Sequence, residues 1–247
     1  MKSVGLFVSI ITTSLFVSSL NAQTPADKTE PPALSKETKE KLGAIIAEVQ
    51  QLHAKQHFVQ AMQKLNEADA LAPNNPMLAN VRGSIYTAMR DFLKAHECFE
   101  NAASQSPDAF EPKFNLAELL YVEQKYAEAE AAFTGILAAF PKLREEVRHL
   151  TQFKIIVCQL KQDKNGDAEK GMNAFTSMDD TPAYFYCKAA TAFQKKDKVD
   201  GQSWLDKAMR IFKPQQNAIY IDTLVEAQWI TGLTGHNDLG TPPKTVR

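Results

Sequence analysis

The chain has 247 residues, 44% of them hydrophobic and 23% charged, with 28 Lys and Arg against 29 Asp and Glu. That balance is ordinary for a soluble globular protein and removes the electrostatic ground for expecting nucleic acid or an anionic lipid surface as partner. Ten glycines among abundant Ala, Lys, Glu, Gln and Leu favour helices joined by short turns, since Gly costs about 1 kcal/mol relative to Ala inside a helix.

In residues 1–22, Lys2 precedes a run without charge from Val4 to Leu20, and Ala22 then offers a small residue at a plausible cleavage point. This reads as a secretory signal peptide. The alternative is an uncleaved membrane anchor, because the run approaches the roughly 17 to 25 residues that span a bilayer. Ser9, Thr12, Thr13, Ser14 and Ser18 weaken it as a permanent span. The expectation is export to the periplasm or the extracellular space, with membrane contact only if the segment is retained. Residues 23–34, with Pro25, Pro31 and Pro32, read as a flexible linker.

From Ser35, a candidate N-cap, the apolar residues Leu42, Ile45, Ile46, Val49 and Leu52 recur at helical spacing. His53 to His57 is a turn, and a returning helix runs from Phe58 to Leu71. A signature then repeats. Phe58, Ala61, Leu65 and Ala68 are followed 34 residues later by Phe92, Ala95, Phe99 and Ala102, and after another 34 by Tyr126, Ala129, Phe133 and Ile136. Pro73, Pro107 and Pro141 keep the same offset, so the register covers the whole unit. In the intervening helices Gly83 with Tyr86, and Ala117 with Leu120, place a small residue before a bulky one. Two helices approach closely where a side chain is nearly absent, so Gly83 is expected to receive the ring of Phe99 or Phe92.

Beyond Pro141 the register loosens. Leu143 to Gln162 predicts a long helix, Lys164-Asn165-Gly166-Asp167 a turn, and Asp167 the N-cap of a helix over Ala168 to Met178. Ala168, Met172 and Phe175 imitate the second-helix signature 39 residues after Ala129 rather than 34. Tyr186, Ala190 and Phe193, then Gly201, Leu205 and Ala208, form a fifth pair of helices. Residues 215–231 predict one further helix that covers the last apolar face, closed by Gly232. Residues 232–247, with Pro242 and Pro243, read as a disordered tail.

A small residue, an aromatic three on, then Ala, aromatic, Ala and Pro, best carried by Gly83, Tyr86, Ala95, Phe99, Ala102 and Pro107, resembles the tetratricopeptide repeat. Val49 and Ile136 depart from its small-residue positions, and no Trp opens a first helix. The resemblance implies an all-α fold, an α-α superhelix (TPR-like solenoid) of about five helix-turn-helix repeats with a C-terminal capping helix. The repeats fall at about 35–75, 76–108, 109–143, 144–181 and 182–214, with the cap at 215–231. It also implies that first helices line a concave face. The partner-binding candidates there are Gln50 and His53; Asn80, Ser84 and Thr87; Phe114, Glu118 and Tyr121; and Tyr184 and Thr191. Relatives that grip a terminal carboxylate need Lys and Asn where this chain has Ile46, Gln50 and Val81, followed by Glu111 and Asn115; only Asn115 could donate, so that mode is not expected.

Rival chemistry is thin. His53 and His57 are four apart, as metal ligands on one helical face would be, but they straddle a turn and no acidic partner lies between them. Asp179 and Asp180 suit the positive end of the helix that follows. Cys98, Cys158 and Cys187 read either as three packed thiols or as one thiol beside a Cys158 to Cys187 bridge. No phosphate loop, nucleophile elbow or paired-cysteine metal motif is present. No cofactor or metal is expected. The sequence thus predicts an exported, non-catalytic scaffold for a protein or peptide partner, with a membrane-tethered assembly factor or a metal-binding or enzymatic helical protein as alternatives.

Overall fold

The computed structural model describes residues 35–231. The signal segment, the linker and the tail lie outside the described residues. Eleven α-helices and no strand occur among those described, and the chain divides into two compact units at Leu119 and Leu120.

The first unit contains α1 (Lys36–Ala54), α2 (Phe58–Leu71), α3 (Pro76–Ala88), α4 (Phe92–Gln105) and most of α5 (Phe110–Val122). Ser35 caps α1 by accepting the Thr38 amide at 3.1 Å, as its place before the apolar stripe predicts. Asn75 and Asp91 cap α3 and α4 in the same way. Ala61, Leu65 and Ala68 of α2 are fully buried in one apolar cluster with Leu42 and Val49 of α1 and Leu78, Val81 and Ile85 of α3. Burying a residue such as Leu65 contributes about 1.5–3 kcal/mol. At Gly83 the expected close approach occurs, and the residue that enters is Phe99.

The second unit contains α6 (Tyr126–Ala139), α7 (Glu145–Lys161), α8 (Asn165–Met172), α9 (Ala183–Gln194), α10 (Lys198–Ile211) and α11 (Pro214–Glu226). Glu130 of α6 accepts from Gln159 and Gln162 at 2.9 and 2.8 Å and pairs with Lys164 at 2.8 Å, fastening α6 to the far end of α7. Gly201 of α10 shows the reverse arrangement: the glycine is on the second helix, and the ring of Phe193 from the first helix, α9, stands where a Cβ would be.

One turn recurs in both units. Gln56, Arg90, Gln124, Asp163, Lys196 and Gln228 have φ between 59° and 63°, each just past the end of a helix. At Gln56 the amide donates to His53 O and the next amide, of His57, donates to Leu52 O, both at 2.8 Å. The same pair of bonds closes α3, α5, α7, α9 and α11, and satisfies carbonyls that a helix end leaves open. Glycine is absent from all six positions, so composition hides a turn that the backbone repeats.

This turn corrects two boundaries. The expected start of α8 behind an Asp167 cap moves to Asn165, two residues after left-handed Asp163, as Phe58 follows Gln56. Helix α8 also ends at Met172, well before Met178. The terminal helix stops at Glu226, and Gln228 takes the left-handed conformation just past it; Gly232, the expected closing residue, lies outside the described residues. Since α11 ends in the turn that closes every first helix, it is built as a first helix of the repeat.

Candidate partner-binding faces on the first helices

In the first unit Asn80 and Asn115 are each 3% exposed, and the Asn115 side-chain amide donates to Asn80 Oδ1 at 3.0 Å. Ser84 donates to Asn80 O at 3.2 Å and Thr87 to Gly83 O at 2.9 Å, so both hydroxyls are satisfied along their own helix. Phe114 and Glu118 of α5 are buried, and Phe114 stacks on Phe110 with ring centroids 5.1 Å apart. These five candidates were expected to face a groove; the structure instead keeps their side chains below the surface. A buried side chain offers a partner no area to touch.

Tyr121 is buried for a visible reason. Its hydroxyl donates to the Thr223 carbonyl of α11 at 2.7 Å. Lys154 of α7 donates to Thr223 Oγ1 at 2.9 Å and lies 5.1 Å from the centre of the Tyr121 ring. Lys161, one pair of helical turns further along α7, donates to Ala227 O at 2.9 Å. The Tyr186 hydroxyl of α9 donates to Asn217 Oδ1 at 3.1 Å. Helix α11 therefore lies across residues of three first helices and is buried from Tyr220 through Ala227. The lysines meet its C-terminal end, where the helix dipole and the last carbonyls favour cations. Burial lowers the pKa of Lys161 and pushes that of Tyr126, beneath it, up to about 12.

The remaining candidates keep surface. Gln50 and His53 of α1 and Tyr184 and Thr191 of α9 are half-buried. The His53 ring packs 5.7 Å from Phe58, burial lowers its pKa, and its Nε2 has no hydrogen-bond partner. His57 stands exposed at the start of α2. No group of three His, Cys, Asp or Glu side chains that could hold a metal occurs among the described residues. No disulfide joins Cys98, Cys158 or Cys187, and the last two are buried. No described helix is long and apolar enough to cross a membrane.

Residues missed by the sequence reading are Lys154, Lys161 and Tyr186, which hold α11. The signal for Lys154 was a cation inside the apolar run from Val147 to Leu160.

Residues 86–152 match the tetratricopeptide repeat family. Among solved structures, PilW, described as a widely conserved type IV pilus biogenesis factor, aligns with a TM-score of 0.57 at 21% identity, covering 79% of this chain and 89% of its own. PilF of Pseudomonas aeruginosa aligns with a TM-score of 0.57 at 15% identity, covering 78% of this chain and 90% of its own. No curated protein matches the sequence. The repeated hairpins, their glycine and alanine contacts and these likenesses agree on a tetratricopeptide-like all-α repeat fold, with the family match itself lying over residues 86–152.

Proposed function

We propose that the protein is an exported, non-catalytic scaffold that holds a peptide segment or partner protein against the faces of its first helices. The observation that carries this reading is the seat of α11. Three successive first helices supply Tyr121, Lys154, Lys161 and Tyr186 to grip one further helix. Residues of this position thus suffice to bind a helix through its carbonyls and side chains, which is one established mode of peptide recognition. The half-buried Gln50, His53, Tyr184 and Thr191 are the partner-facing residues in this proposal.

Export rests on the leader-like composition of residues 1–22. A place in envelope assembly or secretion follows from export, and pilus biogenesis, the role named for PilW, is one form of it.

A photo-crosslinking residue placed at Gln50 or His53 in the native cell is expected to yield adducts with a protein. The same residue at exposed Glu100 of α4 is expected to yield none. Equal adducts from all three positions, or none from any, would overturn the scaffold reading. Mass determination of the mature chain tests export separately, with a start at Gln23 expected and a retained Met1 against it.

A further inference from the structure

Helix α8 has 8 residues where α2, α4, α6 and α10 each have 14. Ala168, Met172 and Phe175 keep the spacing of the second-helix signature, but Phe175 stands where Ala68, Ala102 and Ala208 stand in other repeats. A small residue there lets the helix rest on its neighbours, and a phenyl ring does not fit. The chain leaves the helix after Met172, and Phe175 is buried against His149, ring centroids 5.1 Å apart.

The missing turns leave a cavity of about 450 Å³ beside α9, within the size range of sites that hold a single ligand. Counted back from the left-handed residue that closes each helix, Tyr184 and Thr191 of α9 occupy the positions of Leu78 and Ile85 in α3. Leu78 and Ile85 are 0% and 1% exposed, packed in one cluster with Leu65 and Ala68 of the preceding second helix. Tyr184 and Thr191 are only half-buried and line the cavity, Thr191 Oγ1 touching α8 at Met172 Sδ, 3.4 Å away. Where the covering helix is short, the chain has replaced aliphatic residues by ones that tolerate both water and a ligand.

The lining also states a chemistry. Leu160, Met172 and Cys187 form an apolar floor, while Lys188 and Lys195 outnumber the carboxylate of Glu169. Lys188 Nζ lies 5.5 Å from the centre of the Tyr184 ring. Thr191 donates its proton to Cys187 O at 2.9 Å, leaving hydroxyl lone pairs to accept an amide N–H. Resting on the scaffold reading, we infer that this cavity docks an extended peptide segment of a partner protein, with an apolar side chain on the floor and a neighbouring carboxylate between Lys188 and Lys195.

The probe is an array of randomised heptapeptides with acetylated and amidated ends, so that no terminal carboxylate contributes. Peptides bound by the full mature chain are expected to share an apolar residue beside Asp or Glu. Charge reversal at half-buried Lys188 and exposed Lys195, Lys188→Glu with Lys195→Glu, is expected to weaken the best peptide about tenfold or more by fluorescence polarisation. Thr191→Trp fills the cavity and is expected to abolish binding; should it melt early, Lys195→Glu alone, at an exposed position, decides. Absence of a shared motif, binding indifferent to the lysine reversal, or hexanoate binding as tightly as the peptide would each overturn the inference. Adducts at Gln50 that persist beside a negative array would reject this pocket while leaving the scaffold reading standing.

Discussion

The Phe99 ring lies where a side chain on Gly83 would stand: a Cβ built on Gly83 would come 2.6 Å from Phe99 Cε1. Gly201 and Phe193 form a pair in the second unit with glycine and ring exchanged between the two helices. Gly83→Ala is therefore expected to lower stability by about 1–3 kcal/mol, because neither the ring nor the backbone has room to retreat. Gly43 sits in α1 with nothing within 4 Å of its would-be Cβ, so Gly43→Ala is expected to raise stability by about 0.5–1 kcal/mol. Urea melts of the two variants should move in opposite directions.

Exposed Gln124 has φ of 63°, a left-handed conformation that a side chain makes unfavourable. Gln124→Gly should stabilise by up to about 1 kcal/mol, the steric relief being partly offset by the freer unfolded chain. Gln124→Val should destabilise, since a β-branched residue fits that region worst. Thermal midpoints of both variants check the assignment.

Tyr121→Phe removes the donor to the Thr223 carbonyl, which still accepts from the Ala227 amide. Its expected cost is about 0.5–1.5 kcal/mol. Hydrogen exchange localises the effect: amides of α11 should lose protection ahead of those in α2 and α3. Uniform loss of protection would argue against α11 docking as a separate element.

His149 is buried, its Nδ1 2.8 Å from Thr181 Oγ1. Burial lowers its pKa below the ordinary histidine value, against the opposing pull of Glu145 and Asp179. The folded state binds this proton less readily than the unfolded one, so stability is full above the unfolded pKa and declines as pH falls through the folded pKa. His149→Asn is expected to lose less stability than the parent between roughly pH 7 and pH 5. His53, also lowered by burial, contributes in the same direction and remains in both proteins.

Cys158 and Cys187 are buried and not joined by a disulfide, and burial raises the pKa of Cys187 and of half-buried Cys98. Maleimide should label at most Cys98 in the native chain, slowly, and all three thiols in denaturant. Labelling of only one thiol in denaturant would reveal a Cys158 to Cys187 bridge.

The first three hairpins were legible because their packing is local. Phe92, Ala95, Phe99 and Ala102 share one helical stripe, and Gly83 declares a close approach by having no side chain. Helix α8 was misjudged because Ala168, Met172 and Phe175 keep the right spacing while Phe175 has the wrong size, and spacing alone carries no volume. The left-handed turns were invisible because Gln, Arg, Asp and Lys occupy them without glycine.

The order of short-range apolar residues by itself determined that this chain makes paired helices on a repeat of 34 residues, since helix period and turn position depend on neighbours a few residues away. Only the tertiary structure decided that Tyr121, Lys154 and Tyr186 meet α11, and that Tyr184 and Thr191 flank a cavity. Those relationships join residues far apart in sequence, and they depend on which volume each helix leaves or fills.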